Sequence, residues 1–277
     1  MTSLSNCTER SKAKKIIVMI PKIIHLCWLS GDPYPRKIQF CIDSWKKYLP
    51  GYEIMLWDTD RFDVNALPWT RQAFEARKYA FAADYIRLYA VYNYGGIYLD
   101  SDVEVIKSFD DLLDLPYFVG SEAGPEGIEL AAFGAEKGSE WVKYALDYYA
   151  GRDFILDNGE MSMTPMPSLM GDRIREKYQW TPIRDVSEFD RDPSKFCVFP
   201  QDWFGARPFD GKGGMRYYIT ENTRSIHHYA NSWTDDEYPG GFLHRMYYKI
   251  TGKDWKYGDN RFRLYGDNKH VKKYNDS

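Results

Sequence analysis

Asp100 and Asp102 stand two residues apart in the run Gly95-Gly96-Ile97-Tyr98-Leu99-Asp100-Ser101-Asp102. Two hard carboxylate donors side by side suit Mg2+ or Mn2+, usually held by one or two carboxylates together with substrate phosphates. Alternation along a strand projects both carboxylates to one face and Ser101 to the other. The strand ends of an α/β sheet are also where ligands bind. The spacing alone is common, since Asp58-Thr59-Asp60 and Asp190-Arg191-Asp192 share it. The Asp58 pair, however, sits in a polar turn that runs on into Arg61, as a solvated loop does. Setting singles out Asp100 and Asp102.

Two further groups carry chemistry. Asp84 and Arg87 are three apart in an otherwise apolar stretch, hence neighbours on one helix face. Buried charges are rare unless paired. The two either form a self-satisfied ion pair or lie beside the acidic strand and hold sugar hydroxyls and a phosphate oxygen. Arg77 and Tyr98 are lesser candidates nearby. The third group is His227-His228-Tyr229-Ala230-Asn231-Ser232-Trp233. Adjacent strand residues face opposite ways, so only one histidine can complete a site begun by two aspartates. Ser232 offers a phosphate donor and Trp233 an aromatic wall.

Strands and helices must bring these groups together. Lys22 to Leu29 reads as a buried strand and Pro35 to Tyr48 as a helix with Ile38, Cys41, Ile42 and Trp45 on one stripe. Tyr52 to Trp57 reads as a second strand. A helical pattern from Trp69 or Thr70 to Tyr94 is apolar on nearly all sides in its second half and stops at Gly95-Gly96. Ile97 to Leu99 and Val103 to Ile106 follow as short strands around the acidic pair, and Ser139 to Tyr149 as a helix. Alternating strand and helix predicts an α/β fold with a mostly parallel central sheet. Beyond residue 150 the pattern loosens.

Composition narrows the function. The chain has 277 residues, 44% hydrophobic and 28% charged, enough for a buried core and far from disorder. No repeat or long linker divides it, so a single domain over 1–277 is expected. A polar N-terminal extension at 1–14 and a basic-aromatic tail at 253–277 flank it. A net charge of −3 argues against a nucleic-acid binder that relies on a basic face. The tail is compatible with peripheral contact to an anionic membrane, though a solvated segment is the simpler reading. Residues 16–20 are too short an apolar run for a signal-peptide core or a membrane span. The scattered Cys7, Cys27, Cys41 and Cys197 lack zinc or disulfide spacing. Aromatic residues reach 17%, which serves cores and also base or sugar recognition. Nucleophile-elbow, P-loop, dinucleotide and zinc-protease motifs are all missing.

As an ordered set, Ile20-Pro21-Lys22-Ile23-Ile24-His25-Leu26-Cys27-Trp28, Leu56-Trp57-Asp58, Ala80 to Ala90, Gly95 to Asp102 and the His227–Trp233 segment resemble glycosyltransferase family 32. That family of DXD sugar transferases includes yeast Golgi initiating mannosyltransferases and bacterial capsular-polysaccharide transferases. The layout also resembles that of the large clostridial glucosylating toxins. The resemblance implies a GT-A fold, a nucleotide-sugar donor, Mn2+ or Mg2+, and retention of anomeric configuration.

By position, Trp28 stacks on the nucleobase, Asp84 and Arg87 hold the donor sugar with Tyr98 beside them, and Ser232 and Trp233 meet the diphosphate. Asp100, Asp102 and His228 bind metal, with His227 the alternative to His228. Asp84, Arg87, Asp100 and Asp102 form the catalytic set. No residue stands out as a nucleophile, which favours same-face attack.

The expected protein is a bacterial, cytoplasmic, capsule-type transferase, at most peripheral at the membrane. It takes a hexose or N-acetylhexosamine from a UDP-sugar in preference to a GDP-sugar, and gives it to a saccharide or glycolipid acceptor. The segment from about 120 to 200 departs from the family pattern and is where acceptor recognition is expected. The rivals are a metal-dependent nucleotidyltransferase or phosphohydrolase on the same aspartates, and a non-catalytic sugar-binding protein.

Overall fold

The buried run after Pro21 becomes β1 (Ile23–Cys27), followed by α1 (Arg36–Tyr48) and β2 (Glu53–Trp57). The long helical pattern that follows is two helices, α2 (Pro68–Glu75) and α3 (Tyr79–Tyr94). The break lies at Ala76–Lys78, where Arg77 takes a left-handed conformation with φ 58°, incompatible with continuing the helix. β3 (Gly96–Leu99) and β4 (Val103–Val105) flank the acidic pair, and β5 (Tyr117–Gly120), β6 (Glu129–Ala135) and α4 (Glu140–Leu146) complete the first half. The loosely patterned part holds α5 (Met166–Lys177), β7 (Gln179–Pro182), β8 (Lys195–Val198) and β9 (Ser225–His227). This computed structural model describes residues 19–122, 127–206 and 219–229. The N-terminal extension, the C-terminal tail, Cys7, Ser232 and Trp233 lie outside them.

Five strands form the central sheet in the order β2-β1-β3-β6-β5. β1 pairs in parallel with β2 and with β3, whereas β6 runs antiparallel to both β3 and β5. Four strands therefore share one direction and only β6 is reversed, a mixed sheet that is mostly parallel. Two small two-stranded sheets, β4-β9 and β7-β8, sit outside it.

Alternation along the strands feeds two cores, so both sheet faces are covered, as parallel strands require. Ile24, Leu26, Ile97 and Leu99 pack with Ile38, Ile42 and Trp45 of α1. Met55, Trp57, Tyr98 and Phe133 pack with α3, α4 and α5 on the other side. Cys27, Cys41 and Cys197 are free thiols, and burial pushes Cys27 up to about 12, as for a packing residue.

Gly95 and Gly96 are the hinge of this arrangement. Gly95 closes α3 through its N–H to Val91 O at 2.8 Å. Gly96 has φ 111°, and a Cβ there would lie 2.6 Å from Ile23 O. Only glycine lets the chain turn out of α3 directly into a strand pressed against β1. That strand leads directly into Asp100.

Candidate active site

The C-terminal ends of β1 and β3 open into a cavity of about 660 Å3. Its lining includes Trp28, Asp84, Arg87, Asp100, Asp102 and His227. Six side chains drawn from four places in the sequence thus converge on one cleft at the carboxyl ends of parallel strands.

The acidic pair occupies a turn between β3 and β4, closed by Val103 N–H to Asp100 O at 3.0 Å. Turn geometry, not strand alternation, therefore aims the two carboxylates. Ser101, expected to face away, lines the cavity as well. β9 comes back to lie antiparallel to β4 with His227 opposite Val103, and His228 N–H donates to Asp102 O at 3.2 Å. Ligand atoms of Asp100, Asp102 and His227 lie within 4.8 Å of one another, and His227 Nε2 is 3.6 Å from Asp102 Oδ1. The expectation that His228 joins the aspartates does not match this geometry. His228 points the other way and is bonded through Nε2 to Glu104 Oε2 at 3.0 Å, because neighbouring strand residues face opposite sides. His227, the alternative, stands at the acidic pair.

Arg87 settles the choice left open for the helix pair. Both Asp84 and Arg87 are only 7% exposed. Arg87 Nη2 reaches Asp84 Oδ1 at 3.1 Å and Asp100 Oδ1 at 3.3 Å. Nη1 donates to Leu130 O at 3.0 Å. The pair is not self-contained: Arg87 clamps α3 to the acidic turn and to β6. Burial raises Asp84 and Asp100 above the usual carboxylate range, with Arg87 opposing the rise in both. Tyr98 is buried and its hydroxyl donates to Asp100 Oδ1 at 2.7 Å. Arg77 is exposed and outside the cavity lining.

Trp28 follows β1 directly, with its N–H on Trp57 O at 3.0 Å. Its indole donates to Asp32 O at 2.7 Å and meets Tyr34 edge-on, with 5.0 Å between ring centroids. The indole is thereby held in a fixed pose at the cleft wall. Pro165, Met166, Pro167 and Ser168 line the cleft too, in the part of the chain expected to serve the acceptor.

Sequence reasoning missed two acidic residues. Glu122 and Glu129 both line the cavity, and their ligand atoms also cluster with His227 within 4.8 Å. The signal for Glu129 was available: it is the one charge in the apolar run Ile128-Glu129-Leu130-Ala131-Ala132-Phe133. Burial and the Glu129 charge push Glu122 up to about 8. Burial alone would hold His227 neutral, but Asp102, Glu129 and Asp100 outweigh it and push its imidazole up to about 10. This floor stabilises positive charge.

The donor set fits a divalent cation: two carboxylates of the kind Mg2+ and Mn2+ prefer, and one imidazole, which suits a transition metal better than Mg2+. His227 Nδ1 and Glu129 Oε2, both buried, have no hydrogen-bond partner within normal geometry among the described residues.

Comparison with known proteins agrees with the class. Residues 35–119 match the family model described as a glycosyltransferase sugar-binding region containing DXD motif. Inositol phosphoceramide mannosyltransferase 3 of Schizosaccharomyces pombe is 35% identical over 44% of this chain and 35% of its own length. Mannosyl phosphorylinositol ceramide synthase CSH1 of Saccharomyces cerevisiae is 32% identical over 42% of this chain and 32% of its own. Glycosyltransferase L373 of Acanthamoeba polyphaga mimivirus is 28% identical over 62% of this chain and 71% of its own. The match thus spans about a third of the length of the two yeast relatives. Among solved structures, the PaToxG glycosyltransferase covers 57% of this chain and 69% of its own at 19% identity, with a TM-score of 0.42. The mixed, mostly parallel α/β sheet is of the expected fold class, and residues 35–119 are similar to the DXD region of glycosyltransferases.

Proposed function

We propose that the protein is a divalent-metal-dependent, retaining glycosyltransferase that moves a hexose from a nucleotide-diphosphate sugar to a glycolipid or saccharide acceptor. The observation that carries this reading is the convergence of Asp100, Asp102 and His227 on the floor of a cleft shared with Asp84, Arg87 and Trp28.

Each residue has a task. Trp28 presents an aromatic wall for the nucleobase, a contact of roughly 1–3 kcal/mol for base–aromatic stacking. Asp84 accepts hydroxyls of the donor sugar, and Arg87 holds Asp84 and Asp100 in place while offering charge to a phosphate oxygen. Asp100, Asp102 and His227 would hold the cation, which supplies Lewis-acid neutralisation of the diphosphate charge. Tyr98 fixes the Asp100 carboxylate by donating to it. Asp84 is engaged in its ion pair with Arg87, which leaves its carboxylate less free to attack. That supports same-face attack over a covalent intermediate on this residue. Ser232 and Trp233 keep their expected place at the diphosphate within this proposal.

The yeast relatives, by their names, mannosylate an inositol phosphoceramide. We therefore take mannose as the donor sugar and an inositol-bearing glycolipid as the acceptor to test first. The apolar rim at Pro165–Pro167 suits an acceptor with a lipid portion better than a bare capsular saccharide. GDP-mannose enters the screen beside the UDP-sugars that the sequence resemblance favours. A cytoplasmic setting and a single catalytic domain belong to the same proposal.

The test is a panel of GDP- and UDP-sugars, read by donor hydrolysis and thermal shift with and without Mn2+. Metal-dependent binding and cleavage of at least one donor is expected. No binding in either condition sinks the reading. Nucleotide cleavage with no sugar moved favours the phosphohydrolase rival.

A further inference from the structure

The floor of the cleft has a second layer beneath the cation ligands. His227 Nδ1 faces Glu129 Oε2 at 3.5 Å, on the ring edge opposite the Nε2 that faces Asp102. Glu129 is 1% exposed, and its Oε2 has no hydrogen-bond partner among the described residues. Its other oxygen, Oε1, accepts from Ala131 N–H at 2.7 Å. One carboxylate oxygen is thus anchored and the other is aimed at the imidazole.

The backbone is shaped to put it there. The β5–β6 register shifts between Val119 and Gly120, so that Gly120 pairs with Glu129 while Val119 pairs with Phe133. Such irregularities re-aim a side chain next to active sites. A Cβ on Gly205 would lie 2.6 Å from Glu129 Oε2, so the facing chain leaves room for the carboxylate. The same stretch of β6 is tied to the acidic turn through Asp100 N–H to Ala131 O at 2.7 Å and to Arg87 through Leu130 O.

We propose that Glu129 is a positioning residue for His227: it accepts a hydrogen bond from Nδ1–H and so presents Nε2 to the cation beside Asp100 and Asp102. This inference rests on the metal-dependent reading above. A ligating histidine almost always gives its second nitrogen to such a partner, which fixes tautomer and ring orientation and raises ligand basicity. Glu129 does this from outside the motif, from β6 of the central sheet to a histidine on β9 of a separate small sheet.

Mn2+ affinity of the full chain, measured from the free-ion EPR signal, tests the assignment. Glu129→Ala should weaken Mn2+ binding about 10- to 100-fold, the usual effect of removing an outer-shell partner. Glu129→Gln should recover part of that loss, because its amide oxygen still accepts. A second readout needs no variant: 15N–1H spectra of the Mg2+-loaded wild type should show His227 protonated on Nδ1. Folded Glu129→Ala with wild-type affinity overturns the proposal, as does a ring protonated on Nε2. Asp102→Ala separates the two levels. If wild type binds Mn2+ no better than Asp102→Ala, the metal reading itself fails. If Asp102→Ala loses binding while Glu129→Ala keeps it, only the positioning role fails.

Discussion

Acidification should loosen the joint between β1 and β3 through one buried imidazole. His25 is 0% exposed. Its Nε2–H donates to Gly95 O at 2.7 Å, and its Nδ1 accepts from Trp57 Nε1–H at 3.1 Å. The tautomer is fixed by its partners, and protonating Nδ1 would set one N–H against another. Burial lowers the imidazole from its usual value to about 4. Because the folded value lies below the unfolded one near 6.5, the unfolded chain takes up the extra proton. The associated stability is full above about pH 7 and is lost as pH falls. At pH 5 the loss is about 2 kcal/mol, approaching roughly 3 kcal/mol below pH 4. Urea unfolding from pH 7.5 to 5 measures it, with His25→Gln as the control that removes this titration but leaves the other groups. The wild-type curve should fall about 2 kcal/mol more steeply than the control. Parallel curves would refute the claim that burial holds His25 neutral in the folded chain. The matter bears on function, since His25 clasps Gly95 at the start of the strand that leads into Asp100.

Three more outcomes follow from the cleft. Asp102→Ala should lower donor turnover at least ~10²-fold, the scale for losing an electrostatic stabiliser, and remove the response to Mn2+ in a hydrolysis assay. Arg87→Met leaves the buried Asp84 without its ion-pair partner and takes one partner from the half-buried Asp100, and thermal or urea unfolding should report a loss of about 3–5 kcal/mol; an unchanged midpoint would mean the clamp carries no load. Trp28→Ala should raise KM for the nucleotide sugar about 5- to 150-fold, equivalent to roughly 1–3 kcal/mol of stacking, while kcat moves little.

The legible parts of the fold were those where one physical signal spoke alone. β1, α1 and β2 appeared within a residue or two of their expected bounds, because short apolar runs closed by turns and the Ile38–Trp45 stripe left little room for another interpretation. The break between α2 and α3 was hidden. Ala76, Arg77 and Lys78 carry neither glycine nor proline, and a left-handed arginine leaves no mark in a pattern of apolar spacing. α5, β7 and β8 were missed for a related reason. α5 begins at Pro165-Met166-Pro167, which reads as loop until proline is counted as a first-turn residue. The β7 strand is mostly half-exposed and shows little of the alternation that marks a buried strand.

The site was legible where residues are close in sequence and opaque where the fold alone joins them. Asp84, Arg87, Asp100 and Asp102 lie within one helix–strand unit, so spacing identified them. The choice between His227 and His228 could not be made from spacing, since alternation says only that the two face apart. It is set by the register of β9 on β4, which puts His227 opposite Val103 and sends His228 to Glu104. Glu129 needed two such facts at once: the β9 register that delivers the imidazole and the β5–β6 irregularity that aims the carboxylate at it. A lone acid in an apolar strand does mark a buried charge that must be answered by something. Here the answer is a histidine 98 positions away, supplied by a strand that the sequence pattern did not reveal.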